Sequence, residues 1–262
     1  MLTTLFALAL AQGPSPAATQ TPPYRYRLEV RTSREVDQSA VGRPKLSEGL
    51  ATTALISVVT RDSADGIVAE ATVDSLTLDP SGALADQLRN NPGLARSARG
   101  ARVSQYIVRG RIHGPPVFSD STNQALGAVA QALAVLFPSL RRGAKVGEGW
   151  SDTTNIVAGN ASQTQQPQTN GQVISVWKVV GNEGNALVLD GSSTTHTKTD
   201  DPTHGQSMTL SGTTREHVVI PPAGPLRRAT IETANDMAIS VPGMSTPIPG
   251  KTTASLSLVP LP

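Results

Sequence analysis

The chain has 262 residues, a net charge of +2 and no cysteine, with 3% aromatic residues against 23 glycines and 20 prolines. Without cysteine there is no disulfide scaffold, thiol nucleophile, cysteine metal site or lipidated cysteine. The scarcity of aromatics and abundance of turn formers point away from a helical bundle and toward many short strands with a core of Val, Leu, Ile and Ala.

In chain order, Leu2 to Leu10 is apolar, and Ala9-Leu10-Ala11 resembles a small-residue cleavage site, as at the end of a secretory signal. The segment is too short to span a bilayer and lacks a basic leading region. Leu2, Leu5, Phe6 and Leu10 would share one face of a short helix, giving an apolar arm if the segment is retained. Gln12 to Pro23 is uncharged and reads as a tether.

Tyr24 to Thr32 alternates strictly, with Tyr24, Tyr26, Leu28 and Val30 opposed to Arg25, Arg27, Glu29 and Arg31, as in a strand with one buried and one wet face. Ser33 to Gly49 reads as a polar loop or wide hairpin. Ala54 to Thr60 and Ile67 to Leu78 are strands joined through a turn at Asp65-Gly66, the second closed by Asp79-Pro80-Ser81-Gly82. Ala83 to Asn90 suits a short helix. Val103 to Ile112 is a strand, ending in a corner at Gly114-Pro115-Pro116.

The central stretch, Asp120 to Asp152, differs from the rest. Asp120 or Ser121 can cap a helix. Leu126, Val129, Ala130, Leu133, Leu136 and Phe137 recur at three- and four-residue spacing, and Pro138 stops the run. The helix either plugs an open sheet or lines a cleft, for which Leu126, Val129, Leu133 and Trp150 are the candidate residues. Beyond Trp150, Asn160 to Gly171 reads as a loop. Val173 to Val180 and Ala186 to Asp190 are strands around Asn182-Glu183-Gly184-Asn185. Ser192 to Gln206 reads as a polar loop or hairpin tip. Strands follow at Ser207 to Gly212, Thr214 to Ile220 and Met237 to Val241, then a Pro/Gly corner from Pro242 to Gly250 and a last strand. A short echo links Leu55-Ile56-Ser57-Val58-Val59 with Val173-Ile174-Ser175-Val176-Trp177; each is followed by the same order of elements and a Pro-Pro corner.

The expected fold is mainly β: two curved antiparallel lobes, or one large open barrel-like sheet, with one central helix. The corresponding segments are an export signal or apolar arm with its tether (1–23), an N-terminal β lobe (24–118), the helix and Gly-Trp turn (119–152) and a C-terminal β lobe (153–262). The order strand, hairpin, strand, helix, then Phe137-Pro138 and Val146-Gly147-Glu148-Gly149-Trp150-Ser151-Asp152, resembles an uncharacterised family of secreted bacterial two-lobed β-proteins. Its mid-chain signature places an acidic residue after a glycine, as Glu148 follows Gly147. The family has no assigned activity, so the resemblance implies no catalytic residue.

Chemistry-bearing motifs are incomplete. Gly243-Met244-Ser245-Thr246-Pro247 has proline where a nucleophile elbow needs glycine, and Ser175-Val176-Trp177-Lys178 needs a helical turn where a strand is expected. His196, Asp200, Asp201 and His204 are metal-ligand types in a polar loop without further support. The expectation is therefore no catalytic residue, no metal and no cofactor.

Charge is more informative. Between Gln87 and Ser119 there are six arginines and no acid. Arg96, Arg99, Arg102, Arg109 and Arg111, with Arg141 and Arg142 after the helix, form a candidate partner-binding block, the first three spaced as on one side of a helix. Nucleic acid is not expected, because no binding motif or aromatic interleaving accompanies the arginines. The first expectation is a non-enzymatic extracytoplasmic accessory or scaffold subunit, periplasmic or secreted, docked on a larger assembly and in contact with the periphery of a membrane. The alternative is a carrier or sensor of a lipid-like apolar ligand held between curved sheet and helix, and the remotest is a hydrolase.

Overall fold

The computed structural model describes residues 23–85, 90, 98–108, 111–120, 126–137, 143–158 and 167–262. The eleven strands are β1 (Tyr24–Val36), β2 (Leu46–Ser63), β3 (Gly66–Gly82), β4 (Arg102–Val108), β5 (Arg111–Phe118), β6 (Gly149–Ala158), β7 (Gln168–Glu183), β8 (Ala186–Asp201), β9 (Gln206–Ile220), β10 (Arg228–Ser240) and β11 (Ile248–Pro260). One helix, α1 (Leu126–Leu136), stands between β5 and β6. All eleven strands form one antiparallel sheet in the order β5-β4-β3-β2-β1-β11-β10-β9-β8-β7-β6. Both curved halves expected from the sequence thus belong to one large open sheet, not closed into a barrel.

The path is two meanders joined at their outer ends in sequence. β1 pairs with β11 from Tyr26↔Pro260 to Val36↔Gly250, so the first and last strands meet at the centre of the sheet. The free edges, β5 and β6, are the strands that flank α1 in sequence. Hairpins sit where the turn signals place them: β2 and β3 are joined through Ala64-Asp65, and β7 and β8 through Gly184-Asn185, with Gly184 at φ +61°. That left-handed conformation is readily reached only without a Cβ.

Several strands run further than the sequence suggests. β1 and β2 extend into the two ends of Ser33 to Gly49, leaving residues 37–45 as the connection, with a 3₁₀ turn at Ser39–Val41. β8 continues through Ser192 to Asp201, read as a loop from its polarity. Asp79 to Gly82 belongs to β3, Gly114-Pro115-Pro116 lies within β5, and Trp150 opens β6. Backbone pairing with a neighbour, which polarity does not report, decides the state in these cases, except that Gly114-Pro115-Pro116 fills an irregularity between the paired residues His113 and Val117. Of the short helix expected at Ala83 to Asn90, residues 83–85 are helical and 86–89 lie outside the described residues.

The core lies on the face of the sheet that receives α1, hereafter the inner face. Tyr26, Leu28 and Val30 of β1, Ala54, Ile56 and Val58 of β2, and Leu256 and Leu258 of β11 are buried with Leu126, Val129, Ala132, Leu133 and Leu136 of the helix in one cluster. Burying each Leu- or Val-sized side chain contributes about 1.5–3 kcal/mol. The cluster extends to Trp177 and Val179 of β7, Leu189 of β8 and Val218 of β9, so the sheet curves around one core. The segment between β9 and β10 folds onto the helix end: the Leu226 N–H donates to the Leu136 carbonyl at 2.9 Å, and the Tyr26 hydroxyl donates to the Leu226 carbonyl at 2.8 Å. Among the described residues no helix is long and apolar enough to cross a membrane.

The Tyr26 hydroxyl is the polar tie in this apolar junction. Tyr26→Phe removes the donor and leaves the buried Leu226 carbonyl unsatisfied, so urea unfolding should show a loss of about 1–3 kcal/mol with an unchanged slope.

Candidate functional site

Strand registers divide the inner face into bands running across the sheet. The band nearest α1 is apolar: Val179, Leu189, Val218, Ala229, Leu258 and Leu28 lie side by side on β7, β8, β9, β10, β11 and β1. The next band begins Trp150, Trp177, Gly191, Glu216 and Ile231, on β6 to β10. Beyond it comes a band of small hydroxyl side chains, Ser175, Ser193, Thr214 and Thr233, with the carboxylate of Asp152 at the β6 end. Ser175 and Ser193 hydroxyls are 2.9 Å apart, and those of Thr214 and Thr233 3.1 Å. At the far rim a second small apolar cluster gathers Val36, Met237 and Ile248.

The second band is chemically the most unusual. The chain has two tryptophans, and they are direct cross-strand partners. Trp177 is buried and lies across Gly191: a Cβ at Gly191 would come within 2.5 Å of its six-membered ring. The glycine therefore makes room for the indole, which reaches over β8 toward Glu216 on β9. Glu216 is half-buried, and burial raises its pKa above the usual carboxylate range. Among the described residues no hydrogen bond or ion pair reaches its carboxylate. Its neighbours Arg215 and His217 project to the opposite face by strand alternation.

Four cleft residues expected from the sequence converge on this face. Leu126, Val129 and Leu133 are fully buried against the sheet, and Trp150 packs half-buried against the same core. They fill the space between helix and sheet. Glu216 escaped the sequence reading, although a signal exists: it shares the apolar phase of its strand with Val218 and Ile220. An acid in that phase marks a carboxylate on the core side.

The described members of the arginine block, Arg99, Arg102 and Arg111, do not share a helix. Arg96, Arg109, Arg141 and Arg142 lie outside the described residues, as do Leu2, Leu5, Phe6 and Leu10. Arg99 is exposed in a turn, Arg102 begins β4 and Arg111 begins β5. The three-residue spacing thus crosses a helix-to-strand boundary at Arg102. That side chain has an acid within reach, its guanidinium standing 3.8 Å from Glu70, which also lies 3.5 Å from Arg61. Cross-strand placement supplies the acid that local sequence lacks.

The remaining motifs are dispersed. Ser175 faces inward and Lys178 outward on β7, and Ser245 lies in the turn before β11, with no helix after it. His196 sits on β8 beside the Ser211 hydroxyl at 2.8 Å, while His204 pairs locally with Asp201 at 2.7 Å, holding that carboxyl below its usual range. Along an extended strand, His196 and Asp200 are about 13 Å apart, and no group of three metal-ligand side chains assembles among the described residues. His113 stands edge-on to Tyr106, and His217 pairs with Asp190 at 2.7 Å. The outer face carries a shallow groove of about 510 Å³ between Arg31, Arg215 and Glu232.

These features define an open, curved antiparallel sheet with one helix seated on its inner face. No protein-family model matches the sequence, and no curated protein matches it. Among solved structures the chain is similar to one described as "Lipid-protein interactions in lipovitellin", with a TM-score of 0.50 and 11% identity over 92% of this chain. This chain spans 25% of the lipovitellin chain. A more distant likeness, described as "Asymmetric conductivity of engineered proteins", has a TM-score of 0.21 and 9% identity, covering 92% of this chain and 100% of that one. At these identities the lipovitellin likeness speaks to the fold alone.

An unpartnered acid on the core side has a thermodynamic signature. Because the folded state holds the Glu216 proton more tightly than the unfolded state, the native fold loses stability as pH rises through the folded pKa. Glu216→Gln should raise the melting temperature near neutral pH, and the difference should shrink as pH falls into the usual carboxylate range. Melting curves at several pH values check this.

Proposed function

We propose that this chain is a non-enzymatic extracytoplasmic binding protein that holds a lipid-like apolar ligand between its curved sheet and α1. The observation that carries the reading is the contrast between a broad open sheet and the short helix that is, among the described residues, the main element lying on it. Eleven strands span about 50 Å at ordinary spacing, whereas the eleven residues of α1 reach about 16 Å. The helix makes its main packing contacts with β1 to β5, and the apolar band continues beyond it to β8 and β7, where Leu189 and Val179 are buried as well. A short apolar helix on a broad apolar surface is a cover that an apolar ligand can replace without exposing polar backbone. Lipovitellin, whose structure is described by its lipid–protein interactions, has a similar fold, which is in keeping with this reading.

The accessory-subunit reading draws on a different observation. Ile174, Val176 and Val180 form an exposed apolar strip on β7, on the face turned away from α1, and such a strip suits a protein partner. Neither reading calls on catalysis.

The test is to purify the protein gently from host membranes, extract it with organic solvent and identify by mass spectrometry what travels with it. Near-stoichiometric lipid is expected. A co-purifying protein complex with no lipid would favour the accessory reading instead. A second measurement uses Leu133→Ala, which opens a cavity under α1. It should cost about 2–5 kcal/mol of stability while preserving or strengthening binding of a fluorescent apolar probe. Equal loss of stability and probe binding would count against a ligand beneath the helix.

A further inference from the structure

The proposed apolar ligand has a polar end to place, and the inner face offers one distinctive location for it. Glu216 lies two strands from Trp177, with only Gly191 between them, and the indole lies over that glycine. Glu216 is thus the direct cross-strand neighbour of the glycine that the indole covers, and its carboxylate gains no hydrogen bond or ion pair among the described residues. Such an arrangement is costly for an ionised acid unless something else compensates it. On this band and the adjoining hydroxyl band, the charged residues are Glu216 and Asp152, and neither band contains a lysine or arginine. Arg34 of β1, one band further on, stands 3.7 Å from Glu48.

Building on the lipid-carrier reading, we propose that the Trp177–Gly191–Glu216 corner receives a cationic ammonium head group, whose ligand's apolar tail runs toward α1. Three features agree on this chemistry. An ammonium supplies the positive charge that the carboxylate lacks. Its outer surface is attracted to the negative face of an indole, which a carboxylate or phosphate head would not be. The Ser193 and Thr214 hydroxyls on the adjoining band give a primary ammonium further acceptors, and the band on the other side is apolar, so a tail leaving the corner in that direction meets Leu189 and Val218. A ligand with an anionic head would place like charge against Glu216.

The two tryptophans make the site its own reporter, since both indoles of the chain lie at this corner. The experiment titrates intact protein with three single-chain amphiphiles below their micelle concentrations, following tryptophan emission. The probes are dodecyltrimethylammonium, the uncharged dodecyl maltoside, and dodecanoate. The ammonium probe should bind about tenfold more tightly than the uncharged one, with dodecanoate weakest. Glu216→Gln should erase the ammonium preference while leaving binding of the uncharged probe unchanged. Because that substitution is expected to raise melting temperature, a loss of binding cannot be assigned to unfolding. Equal affinity for ammonium and uncharged probes, preference for dodecanoate, or an ammonium preference that survives Glu216→Gln would overturn the head-group assignment and leave the carrier reading standing. Binding of none of the three would overturn both.

Discussion

The pairing of β1 with β11 is the constraint on which the structure depends. Each meander is held by local hairpins, but the two become one sheet only where Tyr26 to Val36 lies against Gly250 to Pro260. The inner side chains of these strands, Leu28, Val30, Leu256 and Leu258, are at the centre of the core. Breaking this seam would expose the apolar bands of both halves and create two further unpaired edges. The cost falls on closing almost the whole chain into one loop, which grows only slowly with length, whereas the hydrophobic return is concentrated at the seam.

The seam also explains where the helix sits. With chain ends at the sheet centre, the midpoint of the chain is left at the two outer edges, so α1 bridges β5 to β6 across the open side. Its apolar face has one place to go, the inner face between them. The Leu226 contact with Leu136 and the Tyr26 tie then fix the helix C-terminus against the central strands. The inner face is graded as a result, from apolar beneath the helix, through the tryptophan–glutamate corner, to a band of hydroxyls that satisfy one another across strands.

That gradation gives the inner face chemical polarity. Among the described residues, ion pairs such as Arg228–Glu183 and His217–Asp190 lie on the outer side of the strands. Exposed pairs of this kind contribute little to stability. Glu216 stands apart because strand alternation places it inward, where desolvation is not offset by a partner. It therefore marks the border between the apolar band and the hydroxyl band of the inner face.

The sequence by itself determined the local elements. The alternation of Tyr24 to Thr32, the turns at Asp65-Gly66 and Gly184-Asn185, and the apolar stripe from Leu126 to Leu136 are set by side-chain period and turn chemistry, which act over a few residues. The class followed, a mainly antiparallel β fold with a central helix, and so did the apolar face of Leu126, Val129 and Leu133, while the choice between two lobes and one large open sheet stayed open until the strand order was seen. Only the tertiary structure decided that Ser192 to Asp201 is strand, because its polar side chains carry no strand signal and its backbone is paired on both sides. It also decided that Arg102 meets Glu70, and that Glu216 lies beside the Trp177 ring. Period two tells which residues of a strand share a face, but not which strands are neighbours or in what register. Those depend on hydrogen bonds between residues as far apart as 26 and 260, and the candidate site exists only once they have formed.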